Sequence, residues 1–484
     1  MRARGSLVAL LAFPLMAAAP APGPAEKATL DAVARIKARD GAINSVLAVN
    51  PDAVAQARAL DRQRMARGPL FGRPILIKDN IETRDQPTTA GSLALAFNDT
   101  KRDAPLVAGL RAAGAVILGK TNLSEWANIR STRSISGWSA VGGLTRNAVD
   151  PTRTACGSSS GSGAAVGAGI VDLAIGTETD GSIICPAAMN GIVGLKPTVG
   201  LVSRTHVVPI SHSQDTPGPM TRTVRDAALV LGAIAGSDPA DPATAEADRH
   251  RSDYAAALQP GALKGVRLGV MRFDTGKSPK TDMVFEAALA VLRKAGAELV
   301  DIAKADVDLG SDERTILDTE LKADMATYLA TTPPTVKTRT LADLIAFNDA
   351  HADREMPYFG QESFVRADKT RGLGDPDYIT ARDRAKRRAG PEGIDRLLRD
   401  NKVVALVGTS RNPAAPIDLV NGDHSTPGPG AGSIAAVAGY PHLTVPMGKV
   451  QGLPVGISFI GTAWSEARLL ALGYAYEQAR GPVN

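Results

Sequence analysis

The sequence predicts an α/β fold, on three observations. Residues 266–270, 281–295 and 298–302 read as strand, helix and strand, the alternation from which open sheets are built. Short apolar runs at 74–77 and 116–118 end in polar or charged residues and have the length of buried strands. Hydrophobic residues make up 44% of the chain and charged ones 22%, the balance of a globular protein with a substantial core. A length of 484 residues fits one large domain or two ordinary ones.

The chain opens on a leader. Arg2 and Arg4 precede an apolar run at 7–19, and a Pro/Ala-rich stretch follows through Ala25. That is the charged, apolar and small-residue order of a signal peptide, expected to occupy residues 1–25 and to send the protein to the periplasm or beyond. Pro20 and Pro22 disfavour cleavage just before them, which leaves Ala25. The run is too short to span a bilayer, and nothing amphipathic supports a buried helix instead. The two cysteines, Cys156 and Cys185, are too few for a disulfide scaffold. They read as buried small residues, with a bridge left open for an exported chain. A net charge of +5 without a basic run or basic-aromatic alternation argues against nucleic acid as a partner.

Residues 29–67 have helical periodicity, broken at 49–52 by Val-Asn-Pro-Asp. The strand at 74–77 leads straight into Lys78. A helix at 104–113, a strand and turn at 116–122 and a short helix at 124–128 follow, and 131–150 reads as a polar loop. Residues 211–220, rich in Ser, Pro and Gly, read as turns, and 223–235 as a helix. Asp, Ala and Pro mark 238–265 as a connector. About 311–400 is expected to be a charged helical cover, 403–408 a strand, 421–432 a Gly/Pro-rich loop and 433–439 a small helix. Two paired strands and a helix at 465–479 end the chain.

The stretch 156–198 organises the rest. It reads as a glycine-serine loop, an alanine-rich helix, a short apolar strand and a second glycine-serine turn. Small residues let backbone N–H groups face a ligand at close range. Three devices fit such loops. A phosphate cradle would need Gly-Lys-Ser/Thr at the helix start, which is missing. A nucleophile elbow is present in form, with Ser159 at the centre of G-x-S-x-G and His424 or His442 downstream, but no strand precedes it. Histidine is otherwise sparse and unclustered, so no metal site is expected. The third device needs no histidine: a desolvated lysine can take a serine proton through a bridging group. Lys78, Ser158 and Ser182 supply those parts. Taken alone, Lys78 could equally be a lysine snorkelling from a strand end.

Lys78 in GRPILIKDNI, Ser158 in CGSSSGS and Ser182 in GTETDGSIICP together resemble the amidase signature family. The resemblance runs over 26–484 and implies a single large α/β domain, a mixed β-sheet core covered on both faces by helices. It also implies hydrolysis of a carboxamide C–N bond, with Ser182 as nucleophile, Ser158 as a bridging serine after a cis peptide bond, and Lys78 as base. The N–H groups of Thr179, Asp180, Gly181 and Ser182 would form the oxyanion hole. Segments such as NLSEWAN, SISGWSA and GPEGIDRLL resemble the peptide-amidase branch, which implies C-terminal peptide amides as substrates. Small aliphatic or aryl amides are the alternative, with an esterase built on Ser159 and an amidotransferase component more remote. Cys156, Ser160, Glu178, Asp180 and Ile184 depart from the family's common pattern and point away from the branch that supplies ammonia to aminoacyl-tRNA. No cofactor, no metal, no nucleic acid and no membrane contact after signal removal are expected, and a monomer is favoured.

Overall fold

The computed structural model describes residues 21–63, 68–423 and 432–482. Among them run thirteen strands: β1 (Val46–Val49), β2 (Pro74–Lys78), β3 (Val116–Thr121), β4 (Trp138–Ser139), β5 (Gly143–Leu144), β6 (Leu173–Glu178), β7 (Val193–Lys196), β8 (Thr216–Thr221), β9 (Arg267–Met271), β10 (Glu298–Ile302), β11 (Ala405–Thr409), β12 (His442–Val450) and β13 (Leu453–Ile460). Eleven of these form one sheet in the order β1-β3-β2-β6-β8-β7-β12-β13-β11-β9-β10. β2 lies parallel to β3 and β6, and β9 parallel to β10 and β11, while the middle of the sheet is antiparallel. This is the mixed sheet of the expected α/β domain.

Alternation along the strands makes two apolar layers. Ile75 and Ile77 of β2 join Leu173 and Ile175 of β6 in one cluster, against helices Pro105–Ala112, Val224–Ile234, Pro279–Lys294 and Glu466–Arg480. Leu76 and Ala174 face the other way, onto helix Ser160–Gly167 through Ala164, Ala165 and Val166. The same alternation sends Lys78 to the side of Leu76. Helix Ser160–Gly167 is made of Ser, Gly, Ala and Val because it runs against backbone: a Cβ on Gly161 would collide with the carbonyls of Ser45 and Asn122. Helices between Asp312 and Asp400 form the expected cover. No helix among the described residues is long and apolar enough to cross a membrane.

Several expectations need correction. The 29–67 stretch holds helix Pro24–Arg39, strand β1 and helix Ala53–Asp61, because β1 pairs with the edge of β3; residues 64–67 lie outside those described. Residues 124–128 make a kinked turn, with Trp126 and Ala127 at φ of 49° and 53°. The largest miss is β8. Thr216-Pro-Gly-Pro-Met-Thr221, expected as turns, is a fully buried strand between β6 and β7. Pro217 and Pro219 alternate, so their missing N–H groups fall on one side of the strand. β7 pairs with β8 only at Thr221 and Met220, whereas β6 pairs with all six residues. Finally, Cys156 and Cys185 are bridged, with Cα atoms 5.9 Å apart, rather than being separate buried thiols.

Candidate active site

Lys78 ends β2 and Thr177 lies near the end of β6, so two parallel strands bring both to the same sheet edge. Lys78 is completely buried. Its Nζ donates to Ser158 Oγ at 2.8 Å, to Thr177 Oγ1 at 2.8 Å and to the Thr177 carbonyl at 3.3 Å. Asn80 Nδ2 holds Thr177 Oγ1 at 3.0 Å. These partners are oxygens without charge. Burial therefore pulls the amine down to about 7, against the pull of Asp215 and Glu178 in the opposite direction. The Gly157–Ser158 peptide is cis, and the Ser158 carbonyl accepts the N–H of Ser124 at 3.1 Å.

Ser182 stands in the turn after β6. The Ser159 N–H donates to its carbonyl at 3.1 Å, which ties the two glycine-serine loops together. Glu178 braces the same turn from below: its Oε2 takes the N–H groups of Ile183 at 2.7 Å and Ile184 at 2.9 Å. Gly181 has a φ of 80°, a left-handed conformation that favours glycine in this turn. The N–H groups of Thr179, Asp180, Gly181 and Ser182 donate to no group among the described residues. Four successive N–H groups beside a buried serine are thus left available to a ligand. The disulfide fastens the residue before Gly157 to helix Ile184–Met189, just beyond this turn.

The histidine alternative separates in space. Ser159 Oγ donates to the Thr177 carbonyl at 3.0 Å and takes the Thr177 N–H at 3.2 Å, so its hydroxyl is spent on β6. His442 Nε2 shares a hydrogen bond of 2.6 Å with Ser458 Oγ, and burial pushes its ring down to about 3. His424 lies outside the described residues.

Sequence reasoning missed several neighbours of the turn. Asp180 Oδ2 takes Ser433 Oγ at 2.7 Å. Glu313, on helix Asp312–Leu329, is driven up to about 7 by burial and by Asp180, and accepts Gln214 Nε2 at 3.0 Å. Asp215 accepts Thr179 Oγ1 at 2.6 Å. Its signal was present in the Gln-Asp-Thr-Pro-Gly-Pro run, but hidden by the reading of that run as turns. One group among the described residues, His212, Glu320 and Asp324, brings three metal-type ligand atoms within 4.8 Å of one another. Its oxygens are already engaged by Ser211, Ser213 and Tyr378 on Glu320 and by His212 on Asp324, so it works as a clasp between loop and helix.

Comparison with known proteins gives the family. The Amidase family model matches residues 27–470. A "Probable amidase" of Arabidopsis thaliana is 40% identical over 455 residues, 90% of this chain and 83% of its own. The crystal structure of an amidase family protein from Bacillus anthracis superposes with a TM-score of 0.86 at 34% identity, with 95% of this chain and 89% of that one covered. The crystal structure of native peptide amidase from Stenotrophomonas maltophilia superposes with a TM-score of 0.89 at 51% identity, covering 94% of this chain and 93% of that one. A match over nearly the whole chain, on a fold that sets a buried lysine against a serine loop, makes the protein a member of the amidase signature family and an amide-hydrolysing enzyme.

Proposed function

We propose that the enzyme removes the C-terminal amide of peptides through an acyl-enzyme on Ser182, releasing the peptide acid and ammonia. The observation that carries this reading is the Lys78 amine, fully buried, 2.8 Å from Ser158 Oγ and drawn down to about 7. Held neutral, it accepts the Ser158 proton while Ser158 accepts that of Ser182, whose oxygen attacks the carboxamide carbon. The negative charge that develops on the carbonyl oxygen falls to the N–H groups of Thr179, Asp180, Gly181 and Ser182; one such donor is typically worth about 3 kcal/mol. The proton returns through Ser158 to the departing nitrogen as the C–N bond breaks. Water then attacks the ester by the same relay, and Ser182 regains its proton.

The choice of peptide amides rests on the likeness to the Stenotrophomonas enzyme over 94% of the chain. The test is mass spectrometry of a blocked peptide amide after incubation. The expected product is the free acid with every internal bond intact. Internal fragments would overturn the reading, and turnover confined to small aliphatic or aryl amides would move the assignment to those substrates.

Export belongs to the same proposal. Cleavage after Ala25 would fall in the first turn of helix Pro24–Arg39, where the Glu26 N–H donates to Asp61 Oδ2 at 2.9 Å. The new terminal ammonium would meet the same carboxylate. N-terminal sequencing of the exported protein should begin near Glu26; an intact Met1 in the cytosolic fraction would refute export.

A further inference from the structure

Asp215 occupies the turn that leads into β8, and the pairing of Thr216 with Glu178 sets it beside Thr179. Its carboxylate is divided between two jobs. Oδ1 takes Thr179 Oγ1 at 2.6 Å, and Oδ2 takes the N–H groups of Ile210 at 2.7 Å and Ser211 at 2.9 Å. The 208–216 loop is thereby tied to the first residue of the unpaired N–H run. With Asn80 and Thr177, Asp215 also lines a cavity of about 360 Å³ on the flank of β6. Thr177 is the residue whose hydroxyl and carbonyl hold the Lys78 amine.

The charged groups around Lys78 can be sorted by what already occupies them. Glu178, from β6, spends Oε2 on the turn and faces the buried Lys196. Asp79, just past the end of β2, and Lys120, on β3, close their own ion pair at 3.0 Å. Arg204, which faces Asp215, is held by Asp241 at 2.6 Å and 2.9 Å. Thr177, which bonds the lysine, and Thr179, which bonds Asp215, line the same cavity, so Asp215 brings a carboxylate to the surroundings of Lys78 without a partner cation bonded to it among the described residues.

We propose that Asp215 is a positioning residue that sets the charge state of Lys78 and, through Thr179, fixes the start of the N–H run that meets the oxyanion. The proposal rests on the reading of Lys78 as the base. Burial alone would drive a lysine far down and leave a weak base, whereas an anion nearby favours the ammonium and holds the amine near the working pH. Burial raises Asp215 itself to about 6, so it carries its charge through the range in which Lys78 changes its own.

Three variants and two readouts test this. Asp215→Asn removes the charge and keeps the shape; Thr179→Val cuts the 2.6 Å bond and leaves the carboxyl group in place; Asp215→Glu keeps the charge with a longer reach. The readouts are the 13C NMR titration of Lys78 in enzyme labelled at the lysine ε-carbon, assigned with Lys78→Met, and the pH profile of kcat/KM on a peptide amide. Asp215→Asn should lower the Lys78 midpoint by about one pH unit. Thr179→Val should cut kcat and, because the Thr179 hydroxyl helps to hold the Asp215 carboxyl down, lower the midpoint by less than Asp215→Asn does; Asp215→Glu should restore most of the shift. An unmoved Lys78 titration in folded Asp215→Asn overturns the proposal. A moved titration with an unmoved rate profile upholds the charge coupling but removes Lys78 as the base, so the two failures are distinguishable. Should Asp215→Asn not fold, Asp215→Ser takes its place, with the same downward shift expected and an unmoved Lys78 titration again overturning the proposal.

Discussion

Two lysines stand at the ends of neighbouring parallel strands, Lys78 on β2 and Lys120 on β3, and both are fully buried. Lys120 pairs with Ile77 and so faces the other side of the sheet from Lys78, and the two sets of partners differ in charge. Lys120 donates to the Ile81 carbonyl at 2.7 Å and Thr88 Oγ1 at 2.8 Å, and it also meets Asp79 at 3.0 Å. Lys78 has the same kind of neutral partners and no carboxylate in contact. Burial pushes both amines down, but at Lys120 an anion in direct contact opposes it. The same residue type at the same sheet edge thus meets a carboxylate in one strand and only uncharged oxygens in the next, which is the difference that the proposed role of Lys78 as base rests on. Charge pairing, not burial, separates them.

The comparison breaks first in turnover. Lys78→Ala and Ser182→Ala should each lower kcat by roughly 10⁴- to 10⁶-fold, and the double variant should be little worse, since such groups act as a unit. Rapid-quench assay of the purified variants decides it, and full activity in Lys78→Ala would remove the lysine from the mechanism. Lys120→Met should act on stability instead. It leaves Asp79 as an unpaired buried charge, a loss of about 3–5 kcal/mol in denaturant unfolding, with the pH profile of the folded fraction unchanged.

A third experiment tries to turn one lysine into the other. Thr177→Asp would give Lys78 an anion in direct contact, and the midpoint of kcat/KM against pH should rise by about 1–3 units. Activity in the parent should increase through about pH 7 as Lys78 sheds its proton. The smallest effect is on stability against pH. The folded pKa of Lys78, about 7, lies below the ordinary 10.5, so the unfolded chain binds the extra proton between those values. Stability from this group should therefore rise with pH across that window. The unfolding free energy of Lys78→Met, measured relative to the parent, should be most favourable below pH 7 and lose that advantage towards 10.5. A constant difference would show that the amine is not depressed.

Much of this contrast was legible in the sequence. Three apolar residues running into Lys78, and two glycine-serine loops, announce a strand end facing small-residue backbone. What stayed hidden depends on contacts between distant segments. Lys78 and Lys120 look alike in one dimension, because the carboxylate that distinguishes them reaches only one of the two amines across the sheet. The Pro-Gly-Pro strand defeats local propensity: its prolines are tolerated only because β7 pairs with its far end alone. Asp215 went unnoticed with it. Glu313 comes from the helical cover, more than a hundred residues from the turn it approaches, and nothing in its own neighbourhood marks it.

The Cys156–Cys185 bridge spans 29 residues and encloses both serine loops. Preparations of this enzyme made in a reducing cytosol and through an oxidising compartment are thus covalently different molecules over the very segment that carries Ser158 and Ser182. Rates from the two sources belong on one scale only after thiol titration has shown that both batches carry the bond.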